Sequence, residues 1–261
     1  MTLLVLAPRT DETARRFARF ADGHGVPAVV ADGFGRVQVT VHATRERVCR
    51  TRFTVDGTEV RAILVRGVTD WGHEPDAERA FVRAETYAAF WSAVALWPGP
   101  VVNRPSARGF FPRMDPLELA ASGAVAPPRT VILNDGTAPG DDVYRISDWT
   151  TMAPGAPRSR FDVVRIDDRH PAGAHRILVA GTAVFELTGS GAGQLLEPAL
   201  VRRLSPVLDW LARNGMDFAD FTVEREGGVP RLVDVSCLPG HHLFADIEDR
   251  VHAALLDRLV P

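Results

Sequence analysis

The chain contains no lysine; all 30 of its basic residues are arginine. Any site that ordinarily uses an ammonium group must use a guanidinium or do without. Arginine is permanently charged, planar and forked, so it holds phosphate well but cannot serve as a general base. With abundant Ala, Val, Gly and Pro, this usage gives an actinomycete-like, GC-rich composition. Cysteine is also scarce. Cys49 and Cys237 are too few for a disulfide framework, which suits a reducing cytoplasm. No apolar run reaches about 18 residues, so no membrane span is expected. The start, MTLLVLAPRTDE, lacks the basic and long apolar regions of a signal peptide. Excess positive charge is missing as well. A net charge of -3 and a pI of about 6.2 exclude an obvious nucleic-acid or membrane-surface binder.

What is present is a hydrophobic share of 46% over 261 residues, ample for a core in one large domain or two to three small ones. TLLVLA (2–7), a charged helical segment (11–22) and VPAVVAD (26–32) predict a β-α-β opening of Rossmann-like type. RVQVTVHA (36–43) and RVCRTRFTV (47–55) alternate like strands, and Asp56-Gly57 predicts a hairpin over 47–67. Segment 76–96 is read as a helix with Phe81, Glu85, Ala88, Trp91 and Ala95 at helical spacing, ended by Pro98, followed by a strand at 100–103.

From about 104 the texture changes. A short helix (115–122), a strand (129–133) and a Gly/Pro-rich loop (135–160) precede strands at 161–166, 174–180 and 182–187. The last two form a hairpin about Ala180-Gly181. A helix over 197–213 carries Leu200, Leu204, Val207, Leu208 and Leu211 on one stripe. Strands at 218–225 and 230–236 and a helix at 247–259 close the chain.

The stretch LVDVSCLPG (232–240) places Asp234 inside an apolar strand, where a carboxylate is costly unless paired. Ser236 alternates onto the same face. From the residues alone, the reading is a buried ion pair with an arginine such as Arg176. His241-His242, just beyond the Pro239-Gly240 turn, are candidates for metal ligation as neutral rings or for acid–base work, against a plain loop pair. GSGAG (189–193) fits no phosphate-loop pattern and reads as a connector. Cys237 has no evident His-Asn partners and reads as a small core residue. Trp71, Trp91, Trp97, Trp149 and Trp210 read as core or interface, and Asp141-Asp142 as a turn.

Four stretches, in order, resemble the ATP-grasp superfamily, most closely the glutathione-synthetase and RimK-like ligases, including ATP-grasp maturases of ribosomal peptides. They are residues 78–107, ending in an Asn-Arg-Pro turn; 113–135, RMDPLELAASGAVAPPRTVILND; 174–187, AHRILVAGTAVFEL; and 214–240, ending in LVDVSCLPG. The resemblance implies an α/β fold: a Rossmann-like N-terminal subdomain (1–103) and a compact ATP-grasp-like domain with a mixed or antiparallel sheet (104–261), its lid shortened to about 135–160. It also implies ATP and magnesium, and a ligase joining a carboxylate to an amine through an acyl phosphate, on a peptide or amino acid. Arg113 and Arg145, where the family has lysines, would hold phosphates. Asp234 and Ser236, in place of the family's E-x-N pair, and Asp220, two residues from the expected aspartate position at Thr222, would hold magnesium. Arg176 would stabilise the acyl phosphate, with His175 in place of its usual aspartate neighbour, and His241 or His242 would touch substrate. The missing lysines, shortened lid and thinned metal ligands equally fit a relative without ligase activity, acting as a partner or binding subunit, or a cleft repurposed for other chemistry. A homodimer or a partner protein is compatible with the sequence.

Overall fold

Five consecutive buried residues, Thr2–Leu6, make β1, the unbroken apolar run that a strand covered on both faces requires. The structure, a computed structural model, describes residues 2–32, 34–43, 49–67, 76–106, 130–132, 144–146, 163–166, 175–187, 194–195, 198–226 and 229–261. Helix α1 (Glu12–Gly23) follows β1. Asp11 caps it by accepting the Ala14 N–H at 2.9 Å, and Thr13, Ala14, Phe17, Ala18 and Ala21 form its buried stripe. The chain returns as β2 (Ala28–Ala31), parallel to β1, which completes the expected β-α-β opening.

Strands β3 (Val37–Ala43) and β4 (Cys49–Val55) pair antiparallel from Val37–Val55 to Ala43–Cys49. Asp56 (φ 47°) and Gly57 (φ 77°) turn the chain into β5 (Thr58–Val65). Two successive positive φ values are what an Asp-Gly hairpin turn supplies. The hairpin expected over 47–67 is nevertheless short, because β4 meets β5 only at Thr54–Glu59 and Val55–Thr58. Beyond that point β5 runs parallel to β1, pairing Leu3–Ala62 through Leu6–Val65. Burial decides it: Ala62, Ile63, Leu64 and Val65 are at most 1% exposed, and pairing with β1 carries them into the core.

Helix α2 (Ala77–Leu96) buries Tyr87, Phe90, Ala93 and Val94. The stripe read from its spacing is corrected here: Phe81 is 64% exposed, and only Trp91 of that set packs partly against the core. Alanine and aromatic residues lie nearly all round this helix, so spacing alone chooses no face. Phe53 chooses it, with Phe90 and Trp97 edge-on at 5.8 and 5.4 Å. Strand β6 (Val101–Val102) then pairs parallel with β5, giving a first sheet ordered β2-β1-β5-β4-β3, with β6 also on β5.

Strands β7 (Thr130–Ile132), β8 (Tyr144–Ile146) and β9 (Val163–Ile166) form a small antiparallel sheet ordered β7-β9-β8. The expected helix at 115–122, the 188–193 connector, Asp141-Asp142 and, β8 apart, the 135–160 loop lie outside the described residues.

The second large sheet contains β10 (His175–Ala180), β11 (Ala183–Leu187), β12 (Gln194–Leu195), β13 (Phe218–Glu226) and β14 (Val229–Ser236), ordered β12-β11-β10-β13-β14 and antiparallel throughout. Gly181 turns β10 into β11 at φ 59°, where a Cβ would stand 2.8 Å from the Ala254 carbonyl oxygen; no other residue fits. Helix α3 (Pro198–Arg213) covers one face, laying Leu204, Val207, Trp210 and Leu211 on Ile177, Ala219 and Phe221. On the other face Leu178, Ala180 and Phe218 join Leu3, Phe17 and, from helix α4 (Glu248–Leu259), Leu255. One apolar cluster thus spans both large sheets. Phe17, Phe53, Phe218, Phe221 and Phe244 are under 2% exposed, each worth about 2–3 kcal/mol of burial. Among the described residues, no helix is long and apolar enough to cross a membrane.

Candidate functional site

Strand register builds the site. Across β10, β13 and β14, Arg176 lies opposite Thr222, Asp220 opposite both Leu178 and Ser236, and Thr222 opposite Asp234. The register slips by one residue between Thr222–Asp234 and Val223–Leu232, so Val233 is a bulge. Bulges of this kind re-aim a strand locally and recur beside active sites.

On the diagonal of this lattice, Arg176 donates to Asp220 Oδ2 from Nε at 3.0 Å and from Nη2 at 2.7 Å. The Asp220 side chain is 3% exposed and that of Arg176 is 38% exposed. The carboxylate is therefore interior, while the guanidinium it holds reaches water. Arg176 thus takes Asp220 as its acidic partner. Ser236 Oγ accepts the Leu238 N–H at 3.1 Å and closes the turn after β14. Register sets Asp220 and Ser236 on one rung and Thr222 and Asp234 on the next. Arg113 lies outside the described residues, and Arg145 is the middle residue of β8, opposite Arg165. His175 pairs with Glu186 instead of with Arg176's partners. Burial pushes the Cys237 thiol up, which disfavours its thiolate.

The segment after β14 is anchored by two residues not singled out from sequence. Arg66, at the end of β5, donates from Nε to Asp11 Oδ2 at 2.8 Å and from Nη2 to the Pro239 carbonyl at 3.1 Å, with its guanidinium 5.3 Å over the Phe218 ring. Asn103, in the left-handed region at φ 56°, donates from Nδ2 to the carbonyls of Phe218 (2.9 Å) and Cys237 (3.2 Å) and accepts the Phe218 N–H (2.8 Å). Its place in the Asn-Arg-Pro turn was the available signal.

His241 lies 3.2 Å from Glu248 Oε2, its side chain 15% exposed, and His242 is exposed. Arg16 Nη1 also reaches Glu248 Oε2 at 3.1 Å. Burial pushes the Glu248 carboxyl up, but His241, His252 and Arg16 outweigh it and hold it below its usual range. Behind them His252 is 1% exposed, with Phe17, Phe20 and Phe244 rings edge-on at 5.5, 5.4 and 6.1 Å. Among the described residues no group of three His, Cys, Asp or Glu is arranged to hold a metal ion. Trp97 and Trp210 are buried and Trp91 partly so; Trp71 and Trp149 lie outside the described residues.

Burial lowers the His252 pKa to about 4; Glu248 and Asp249 pull it up, while His241 and Arg16 push it further down. The folded state thus prefers the neutral ring. The stability this gives is present above the unfolded value near 6.5 and is lost as pH falls from there through about 4. The loss is about 3 kcal/mol. Urea unfolding at pH 7 and pH 4 is expected to show it for the parent and much less of it for His252→Gln; equal acid losses for the two would refute the assignment.

No protein-family model matches the chain, and comparison with curated proteins finds no match. Solved structures do match along its length. The macrocyclase MdnC from Microcystis aeruginosa MRC, bound with its precursor peptide MdnA, superposes with a TM-score of 0.69 at 13% identity, covering 100% of both chains. The ATP-grasp ligase PsnB, complexed with a minimal precursor, Mg and ADP, gives 0.66 at 15% identity over 98% of this chain and 97% of that one. A RimK domain ATP-grasp protein from Sphaerobacter thermophilus gives 0.61 at 18% identity over 100% of both. The element order, the antiparallel β10–β14 sheet and these end-to-end superpositions establish the architecture: this chain has the ATP-grasp fold.

Proposed function

We propose that this chain is an ATP-dependent ligase that joins a carboxylate to an amine on a peptide, through an acyl phosphate. The observation that carries the reading is Arg176, a water-reaching guanidinium fixed by interior Asp220, in a fold shared over its length with peptide-bound ATP-grasp ligases. A substrate carboxylate oxygen attacks the terminal phosphorus of ATP, and the bond to the ADP oxygen breaks. The amine then adds to the acyl carbon, the carbon–oxygen bond to phosphate breaks, the nitrogen gives up one proton to the departing phosphate or to water, and an amide remains. Both steps build negative charge on oxygen. Arg176, already oriented by Asp220, meets that charge without reorganising. Arg113 and Arg145 would neutralise the phosphates, with His241 or His242 touching the peptide. Asp234 with Ser236 would hold magnesium, which supplies further neutralisation of the phosphate oxygens when bound. Asp220 acts through Arg176.

Thermal melting with ATP and magnesium tests this. At a hundredfold excess over the dissociation constant, binding adds about 2.7 kcal/mol. Asp234→Asn is expected to weaken the magnesium dependence of that shift. Absence of any shift at millimolar nucleotide would overturn the ligase reading and favour a partner or binding subunit instead.

A further inference from the structure

The parting of β4 from β5 opens a groove of about 710 Å³ between the β3–β4 hairpin and the corner joining α2 to β6. Its floor is apolar: Phe53, Val60 and Trp97 are 0%, 3% and 8% exposed. Its walls are basic. Arg50 and Arg52 of β4, Arg61 of β5 and His42 of β3 line it, against Glu59 as the acidic lining residue. Arg52 stands 3.4 Å from Glu59, while Arg50 and Arg61 have no acidic partner among the described residues. Three arginines against one glutamate is a local excess of two positive charges on a chain whose net charge is -3. The corner is stiff, because the Arg104 guanidinium donates to the carbonyls of Ala95 (3.2 Å) and Gly99 (2.8 Å).

Strand β4 pairs with β3 along its whole length, but over 49–53 its β5-facing edge has no strand partner among the described residues. A row of unpaired N–H and C=O groups is a template for another strand. Alternation along β4 puts Arg50 and Arg52 in one row and Thr51 and Phe53 in the other. An added strand would meet a basic row on one side and the Phe53–Trp97 floor on the other.

We infer that this groove binds an acidic peptide segment in extended form, added as a strand on the β5-facing edge of β4, with acidic side chains toward Arg50, Arg52 and Arg61 and the alternate apolar ones toward Phe53 and Trp97. Strand addition draws affinity from the backbone and specificity from alternate side chains. A nucleic acid fits less well. It needs exposed rings for stacking, and the aromatic residues of this groove are buried.

The test uses the full chain without nucleotide, so its outcome is separable from that of the ligase reading. Fluorescence anisotropy follows a labelled Glu-Val-Glu-Val-Glu-Val hexapeptide. Binding is expected, weakening as salt rises. The Lys-for-Glu peptide is expected not to bind. Methylation of alternate backbone amides, and the double change Arg50→Glu with Arg52→Glu, are each expected to weaken binding by about tenfold or more. These two side chains are exposed, so the melting temperature should hold; Arg61→Glu on the neighbouring strand is an independent second variant. No binding of the acidic peptide, undiminished binding by the charge-reversed variants or by the methylated peptide, or its displacement by a short single-stranded DNA would overturn the proposal.

Discussion

Asn103→Ala is expected to lower unfolding free energy by about 3–5 kcal/mol, from two buried backbone groups and one partly buried one left without their partner at about 1–3 kcal/mol each, less some relaxation. The side chain is 1% exposed and satisfies the Phe218 N–H, the Phe218 carbonyl and the Cys237 carbonyl at once. The two Phe218 groups are buried, and the Cys237 carbonyl is partly so. The backbone adds to the loss, because φ at this position is 56°, a region that Asn tolerates and Ala resists by about 1 kcal/mol. Two further variants divide the effect. Asn103→Gly relieves the backbone and keeps none of the bonds; Asn103→Asp keeps an acceptor for the Phe218 N–H but loses both donations. Each is expected to fall between the parent and Asn103→Ala in urea unfolding, with similar slopes. A loss under 1 kcal/mol for Asn103→Ala would show that these groups find other partners. Phe218 begins β13 and Cys237 follows β14, so Asn103 ties the end of β6 to the two strands that carry Asp220 and Ser236.

How much of this was legible beforehand follows the range of the interactions. Local patterns served well. The opening β-α-β unit, the Ala180–Ala183 hairpin and the Leu204–Leu211 stripe of α3 each declare themselves within one turn or one alternation. Decisions made across the chain did not. The partner of β5 is settled by burial against β1, a strand more than fifty residues earlier, and overrides the signal at Asp56-Gly57. The face of α2 is settled by Phe53, not by its own spacing. In the site, alternation alone placed Asp234 and Ser236 together on one strand, but the partner of Arg176 depends on the registers of β10, β13 and β14 together, and these give Asp220. The partners of Arg66 and Asn103 could not be read for the same reason. Their partners lie 173 and 115 residues away, and a lone arginine or asparagine at a strand end gives no local sign of what it will hold.

Arg176→Ala is expected to reduce the proposed ligation by about a hundred- to a thousandfold, the usual loss on removing one preorganised stabiliser of a developing oxyanion, about 3–4 kcal/mol. The loss should appear in kcat more than in KM, because the charge Arg176 meets is largest in the transition state. The structural part of the effect must be separated, since the change also leaves the interior Asp220 carboxylate without its guanidinium. Arg176 is itself partly in water, which reduces what the pair contributes to stability. Replacing both members, Arg176→Met with Asp220→Leu, removes the uncompensated carboxylate and is expected to restore the melting temperature while leaving ligation as low as in Arg176→Ala. Arg176→Lys keeps the charge but not the fork that spans Nε and Nη2, and is expected to recover only a small part of the rate. If the double variant regained ligation along with stability, the guanidinium would be a strut between two strands, and the chemistry assigned to it would belong elsewhere in the cleft.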